Sequence, residues 1–331
     1  MDRDPQTQDV PQKSASKQRA PAASRARLVV AFAALYVFWG STYLGSKFAM
    51  AVFPPWLLGG IRFTAAGLIM GAWLLSTGRA RRQDFASPRL WMHAAVAGVL
   101  FFAVANAMVS MGVQRIPSGL AALIVAMTSV FIVLLDRLVM RAGAPSWSIT
   151  AGMVLGVAGV VVLGGPSHSG PAGELDTVGV VLVACSTLAW ASATVYGKHA
   201  PRSDSLLATS AMQMVAGGVA AFVLSVMFER SAWPAAGSVT LGAVAAVAYL
   251  VTFGSLVGFT AYVFLLQHVN AAGVATYAYV NPLVALVLGT ALAGEVLPPR
   301  TWIAAPLILG SVALIQFVRP PSKDQAPVEE E

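Results

Sequence analysis

The feature that most constrains this chain is a series of apolar stretches, each about 20 residues long, that follow one another with little between them. A hydrocarbon core ~30 Å thick is crossed by about 20 helical residues rising ~1.5 Å each. That ruler gives ten spans, at 28–50, 55–77, 90–112, 118–139, 147–165, 178–198, 204–228, 240–266, 271–293 and 301–318. With no water in the bilayer core, each backbone N–H and C=O must be paired within its own segment, so the spans are expected to be helices. Composition agrees, since 57% of the 331 residues are hydrophobic and only 11% charged. Soluble domains carry about 25% charged residues, so this chain cannot cover a water-facing globule.

The loops between spans are short and marked by turn formers: Pro54-Pro55, Pro117-Ser118-Gly119, Pro145 and Pro298-Pro299. The net charge of +7 would raise the question of nucleic acid in a soluble protein, but its distribution answers a different question. With the amino terminus in the cytoplasm, 16 of the 21 Lys and Arg fall on cytoplasmic tails and loops and three (Arg115, Arg230, Arg300) on the outer side. This asymmetry predicts a multi-pass protein with both termini cytoplasmic. Residues 1–27 and 319–331 read as disordered cytoplasmic tails, and residues 28–50 form a full span rather than a cleaved signal. A single cysteine, Cys185, excludes an internal disulfide and a multi-cysteine metal cluster.

An internal repeat organises the spans. Trp39, Ser41 and Lys47 recur as Trp190, Ser192 and Lys198, each displaced by 151 residues. Gln114-Arg115-Ile116 and the small-residue start of span four recur as Gln267-His268-Val269 and the start of span nine, displaced by 153. Each half, 28–165 and 178–318, holds five spans, an odd number, so the second is expected to sit upside down relative to the first. The fold expected is an all-α membrane protein, ten transmembrane helices in two inverted five-helix repeats. Such repeats commonly place a solute site at the midplane between the halves.

Several polar and aromatic residues lie inside spans. Trp39, Tyr43 and Lys47 are four apart and share one helix face. The matching stripe is Trp190, Thr194 and Lys198. Gly40, between Trp39 and Tyr43, is a point where the helix could bend. Arg62 lies about seven residues, or ~10 Å, inside the outer end of span two, where a charge is costly without a partner or water. Its counterpart in the second half is Gln213. Tyr277 and Asn281 share a face of span nine, and Pro282 frees a carbonyl one turn earlier, so a kink is expected there. Asn106 is mid-span in span three. Packing and helix-to-helix hydrogen bonding remain the alternative role for each of these, and headgroup snorkelling for Lys47 and Lys198. The GxxxG pairs Gly67/Gly71 and Gly152/Gly156 read as close helix packing.

Other chemistries lack their residues. The acidic residues noted in or beside the spans are Asp136 and Glu295, both near span ends, so no midplane carboxylate offers a proton carrier. His93, His199 and His268 are scattered, which argues against a metal site. No nucleophile with a nearby base and no GxxxxGK[ST] phosphate loop is present, so neither an intramembrane enzyme nor an ATP-driven pump is supported, and no cofactor is expected.

Three segments taken together carry a family resemblance: Phe38-Trp39-Gly40-Ser41-Thr42-Tyr43, Pro54-Pro55 followed by Gly60-Ile61-Arg62-Phe63, and Ala278-Tyr279-Val280-Asn281-Pro282. They resemble the EamA transporters of the drug/metabolite transporter superfamily, and among those the YedA-like bacterial members. The resemblance covers residues 28–318. It implies ten helices in two inverted repeats, a central cavity, and export of amino acids, other small metabolites or drugs. Where this family often has a proline the first half has Ser129, so Pro282 is expected to make the larger kink. On this reading the chain is a secondary exporter in a bacterial inner membrane, not an enzyme. Trp39, Tyr43, Asn106, Trp190, Thr194, Tyr262, Tyr277 and Asn281 would line its cavity, with Arg62 near the outer gate, Gly40 and Pro282 as hinges, and Lys47 and Lys198 as gate or interface charges. An uncoupled facilitator or importer is the alternative. The partners expected are a small-molecule solute and the lipid bilayer, with no nucleic acid and with a homodimer compatible.

Overall fold

The computed structural model describes residues 24–139, 141, 146–164, 176–269, 271–274 and 276–317. Among the described residues the chain is helical, with no strand. Ten main helices follow in order: α1 (Arg25–Ala49), α2 (Pro55–Ser76), α3 (Pro88–Val113), α4 (Ser118–Val139) and α5 (Trp147–Gly164), then α6 (Thr177–His199), α7 (Leu206–Phe228), α8 (Leu241–His268), α9 (Tyr277–Ala293) and α10 (Thr301–Phe317). Seven are long and apolar enough to cross a membrane, and α5, α9 and α10 are shorter apolar helices. The tails expected at 1–27 and 319–331 lie outside the described residues except at 24–27. There α1 has already begun, at Arg25, with the Ser24 hydroxyl accepting from Arg27 N–H.

The helices pack mainly between the halves, and in a reciprocal pattern. α2 lies along α7 and α5 along α10, each helix against its own counterpart. α1 packs on α8 and α9, while α6 packs on α3 and α4. α2 meets α8 just as α7 meets α3, and α4 meets α9. Exchanging the halves leaves these main contacts unchanged.

Neither of the expected hinge residues interrupts its helix. Gly40 does not break α1, which runs unbroken from Arg25 to Ala49. Its missing side chain instead lets α9 approach, because a Cβ there would lie 2.7 Å from Val284 Cβ and 3.1 Å from the Asn281 carbonyl. Nor does Pro282 interrupt α9, which continues through it. The break in span nine comes earlier, between the short helix Ala271–Val274 and Tyr277. There the Thr276 hydroxyl donates to Gly273 O (2.6 Å) and meets the Tyr36 hydroxyl of α1 (2.6 Å). In the first half, which lacks the proline, α4 has a turn at Met127 between Ser118–Ala126 and Thr128–Val139. Span nine is thus interrupted before Tyr277 and α4 at Met127, while the helix runs on through Pro282.

Two wide turns were not foreseen. α3 is π-helical over Val99–Ala105 and α8 over Leu250–Val257. Their starts are 151 residues apart, the displacement that relates Trp39 to Trp190. Wide turns of this kind are rare and occur frequently at functional sites.

The small-residue pairs do not all act alike. At Gly67 a Cβ would lie 2.8 Å from both Ala211 O and Val215 N of α7, whereas at Gly71 nothing lies within 4 Å. Gly152 and Gly156 both face close neighbours, Ser311 among them, where α5 meets α10. Gly67→Val should therefore force α2 from α7 and cost about 1–3 kcal/mol, while Gly71→Val should stay within about 0.5 kcal/mol. Thermal unfolding of the detergent-purified variants measures the difference.

Candidate functional site

Between the halves lies a chamber of about 130 Å³. α1 contributes Trp39, Thr42, Tyr43 and Ser46, α2 contributes Arg62 and Phe63, and α9 contributes Tyr277, Asn281 and Pro282. Asn106 comes from α3 just beyond its π-helical turn, Thr128 and Ser129 from the interrupted part of α4, and Ser186, Thr187 and Trp190 from α6. The walls are thus aromatic and hydroxylated, with one guanidinium.

Trp39 organises the aromatic wall. Its ring centroid is 5.3 Å from those of Tyr262 and Tyr277 and 5.4 Å from that of Phe259. Its indole N–H donates to the Gly254 carbonyl at 3.1 Å. That carbonyl lies in the π-helical turn of α8, and Gly254 also leaves room for the indole helix, since a Cβ there would meet Thr42 Cγ2 at 2.8 Å. With its one donor engaged, Trp39 has ring surface to offer a solute. Trp190 is placed equivalently, with its centroid 4.8 Å from Phe101 and 6.4 Å from Phe102 on the π-helical turn of α3. Each such ring pair adds about 0.5–1.5 kcal/mol beyond area burial.

Arg62 is buried, 5% exposed. Its Nε donates to Ser255 Oγ at 3.0 Å, again in the π-helical turn of α8, and its guanidinium sits 4.6 Å from the Phe63 ring centroid. Both wide turns therefore deliver groups to the chamber: the first positions Asn106, the second holds Trp39 and Arg62.

Ion pairs between the halves stand at the two ends. At the α1 end, Lys47 meets Glu295 at 2.7 Å, and the same carboxylate accepts from Ser118 N–H (2.8 Å) and Ser118 Oγ (2.9 Å) at the start of α4. Glu295 is 3% exposed. At the α6 end, Lys198 meets Asp136 of α4 at 2.6 Å, and His199 Nε2 lies 3.1 Å from the other Asp136 oxygen. Lys47 and Lys198 are repeat counterparts, so each half's lysine pairs with the other half's carboxylate. Both amines are thus engaged by carboxylates.

These features fit the comparisons with known proteins. Residues 27–165 and again 177–317 match the EamA-like transporter family. The chain belongs to that family. It is accordingly a membrane transporter of small solutes rather than an enzyme. It is 34% identical over 302 residues to the uncharacterized inner membrane transporter YedA of Escherichia coli (strain K12), covering 89% of this chain and 93% of that protein. It is 28% identical to the uncharacterized transporter YvbV of Bacillus subtilis (88% and 92% covered) and 26% to protein PecM of Dickeya dadantii (85% and 89%). One crystal structure shares the fold with a TM-score of 0.58 at 20% identity, covering 88% of this chain and 97% of that one.

Of the residues singled out from sequence in this EamA-like chain, Trp39, Tyr43, Arg62, Asn106, Trp190, Tyr277, Asn281 and Pro282 meet at the chamber. Tyr262 stands behind Trp39 and supports it. Thr194 is not in the wall, and its hydroxyl donates one turn back to Trp190 O. Thr42, Ser46, Thr128, Ser186 and Thr187 were missed, as hydroxyls within apolar spans carry no distinctive spacing. Glu229 was also missed. It is 9% exposed and caps α2, accepting from Trp56 N–H (3.1 and 3.0 Å), Leu57 N–H (3.1 Å) and Ser225 Oγ (2.9 Å). Among the described residues no group of three or more His, Cys, Asp or Glu could hold a metal.

Burial raises the Glu295 carboxyl pKa, but hydrogen bonds from Lys47 and Ser118 outweigh it and hold the pKa below the ordinary 4.5. A depressed carboxylate stabilises the fold fully above the unfolded value and stops doing so as pH falls through the folded one. Thermal stability should thus fall as pH drops below about 4.5. Glu295→Gln should be less stable at neutral pH and show a shallower loss in that acid window, as read by thermal unfolding across pH.

Proposed function

We propose that this chain is a secondary exporter of small organic metabolites, amino acids or related compounds and drugs among them, working by alternating access across a bacterial inner membrane. Ten membrane helices in two inverted five-helix repeats surround the chamber, and both termini are cytoplasmic. The observation that carries this reading is a chamber between two halves with cross-half ion pairs at both ends. A pair that bridges the halves at one end can hold that end shut while the other opens. Because the two lysines are repeat counterparts and each pairs across the seam, breaking one pair while keeping the other gives the two related states that alternating access requires. The inverted layout is supported by five helices per half and by the reciprocal contact pattern. The name of the Escherichia coli relative supports the inner membrane, and the bias in Lys and Arg supports the orientation.

An uncoupled facilitator or importer is the second reading. It is favoured by the chamber wall, where among the described residues no Asp, Glu or His is available to carry a coupling proton. A pH-jump flux assay in proteoliposomes separates the two. Solute flux that drives proton counterflow supports coupled export, and flux that follows only the solute gradient supports facilitation.

In the same proteoliposomes, Trp39→Ala and Asn281→Ala should reduce transport at least ~100-fold, with expression and monodispersity retained. Normal transport by both variants would remove the chamber as the solute site. In a Cys185→Ser background, joining Lys47→Cys to Glu295→Cys with a short bis-methanethiosulfonate reagent should stop transport, and reductant should restore it. Unchanged transport in the cross-linked protein would show that this end does not open.

A further inference from the structure

Arg62 is the charged side chain in the chamber wall, and no Asp or Glu lines that wall beside it. Among the described residues no carboxylate forms an ion pair with it. A guanidinium presents five N–H donors in a planar fork. Here Nε is held by Ser255 Oγ at 3.0 Å and the plane lies near the Phe63 ring, while Nη2 sits where a Gly254 Cβ would come within 3.0 Å. The side chain is thus fixed in place, and among the described residues no acceptor engages the fork's other donors.

Two more groups of the same wall are unsatisfied. Asn281 Oδ1 and Thr128 Oγ1 are buried without a hydrogen-bond partner, on side chains 7% and 8% exposed. The neighbouring hydroxyls are already committed to their own helices: Thr42 Oγ1 donates to Trp39 O, Ser186 Oγ to Val183 O, and Thr187 Oγ1 to Ala184 O. The chamber therefore offers one fixed cation among neutral polar groups, Asn106 and the Tyr43 and Tyr277 hydroxyls included, and no carboxylate. Burying a charge without a counter-ion is unfavourable, and an amine entering this space would meet a like charge and no carboxylate.

Resting on the chamber as the solute site, we propose that the transported solute is a small organic acid with net negative charge. Its carboxylate pairs with the Arg62 fork, for which bidentate geometry is natural. Its carbon body lies on the ring faces of Trp39, Tyr43, Tyr277 and Trp190, and a hydroxyl or N–H of the solute reaches Asn281 and Thr128. Solutes of net positive charge are excluded by the same guanidinium.

The test is a thermal-shift titration of the purified full-length protein at pH 7 with phenylacetate, 4-hydroxybenzoate and lactate. Phenylacetamide and phenethylamine serve as neutral and cationic analogues of the first, and ligand binding to the native state raises the transition temperature with concentration. The expected result is saturable stabilisation by at least one carboxylate, with the amide and amine at least ~10-fold weaker, corresponding to about 1.4 kcal/mol. Arg62→Gln should weaken the carboxylate to the level of its uncharged analogue, and Arg62→Lys should recover part of the loss. Equal or tighter binding of the amide or amine overturns the proposal, as does unchanged carboxylate binding by Arg62→Gln, or no response to any of the three carboxylates. If Arg62→Gln fails to fold, the wild-type comparison of phenylacetate with its amide and amine decides. Loss of binding in Trp39→Ala but not in Arg62→Gln would leave the chamber standing and remove the charge assignment. Carboxylate binding untouched by both would remove the chamber as well.

Discussion

Inside a bilayer, moving an apolar side chain from lipid to protein gains little, so the two halves are held by how closely their backbones approach. The rest of the structure depends on that seam. α2 and α7 run together because Gly60 and Gly67 on one and Gly218 on the other leave no side chain between them, and Gly98 of α3 meets Gly217 of α7 in the same way. Large apolar residues such as Leu68, Ile69, Val223 and Met227 are then free to face outward, as a lipid-covered surface allows. The seam also explains the distribution of polar groups. A tight glycine contact cannot accommodate a chamber, so the chamber forms where aromatic rings from α1, α6 and α9 hold the helices apart.

Charge is arranged in two tiers around this frame. At the ends, carboxylates are saturated: Glu295 and Glu229 cap the starts of α4 and α2, and Asp176 caps α6 while pairing with Arg115 at 2.8 Å. The hydrogen bond from Arg115 and that from Gly179 N–H hold the Asp176 carboxyl below its ordinary pKa. These groups make the ends rigid and directional. In the middle the opposite holds, with Arg62 fixed but lacking a counter-charge. Saturated ends and an unsaturated centre are what a structure needs if its partner is to come from outside and leave again.

Much of this was readable from residues alone, for a physical reason. Within a span, any Arg, Asn or clustered aromatic stands out against an apolar background, so Arg62, Asn106, Asn281 and the Trp39–Tyr43 stripe could be picked without knowing the fold. Their meeting at one place followed from the repeat. What could not be read depends on contacts between distant segments. Nothing in the spacing of Lys47 and Glu295, 248 residues apart, says that α1 lies beside the end of α9. Glu229 lies just past the span at 204–228, and its role is set by α2, whose first turn it reaches across 172 residues. The surroundings of a proline are equally out of reach of spacing: α9 continues through Pro282, and span nine is interrupted at Thr276, whose hydroxyl meets that of Tyr36.

The paired π-helical turns have a consequence for how this chain can change over generations. Each holds an extra residue within its span, and everything beyond it is rotated relative to a regular helix. Since one residue of α-helix corresponds to about 100° of turn, deleting a single residue from 99–105 or 250–257 would leave a span still long and apolar enough to insert. The deletion would nevertheless swing Asn106 in one half, or the helix beyond Ser255 in the other, to a different face. Insertion and recognition are therefore encoded separately in these two helices: length and hydropathy govern the first, and a phase offset of one residue governs the second.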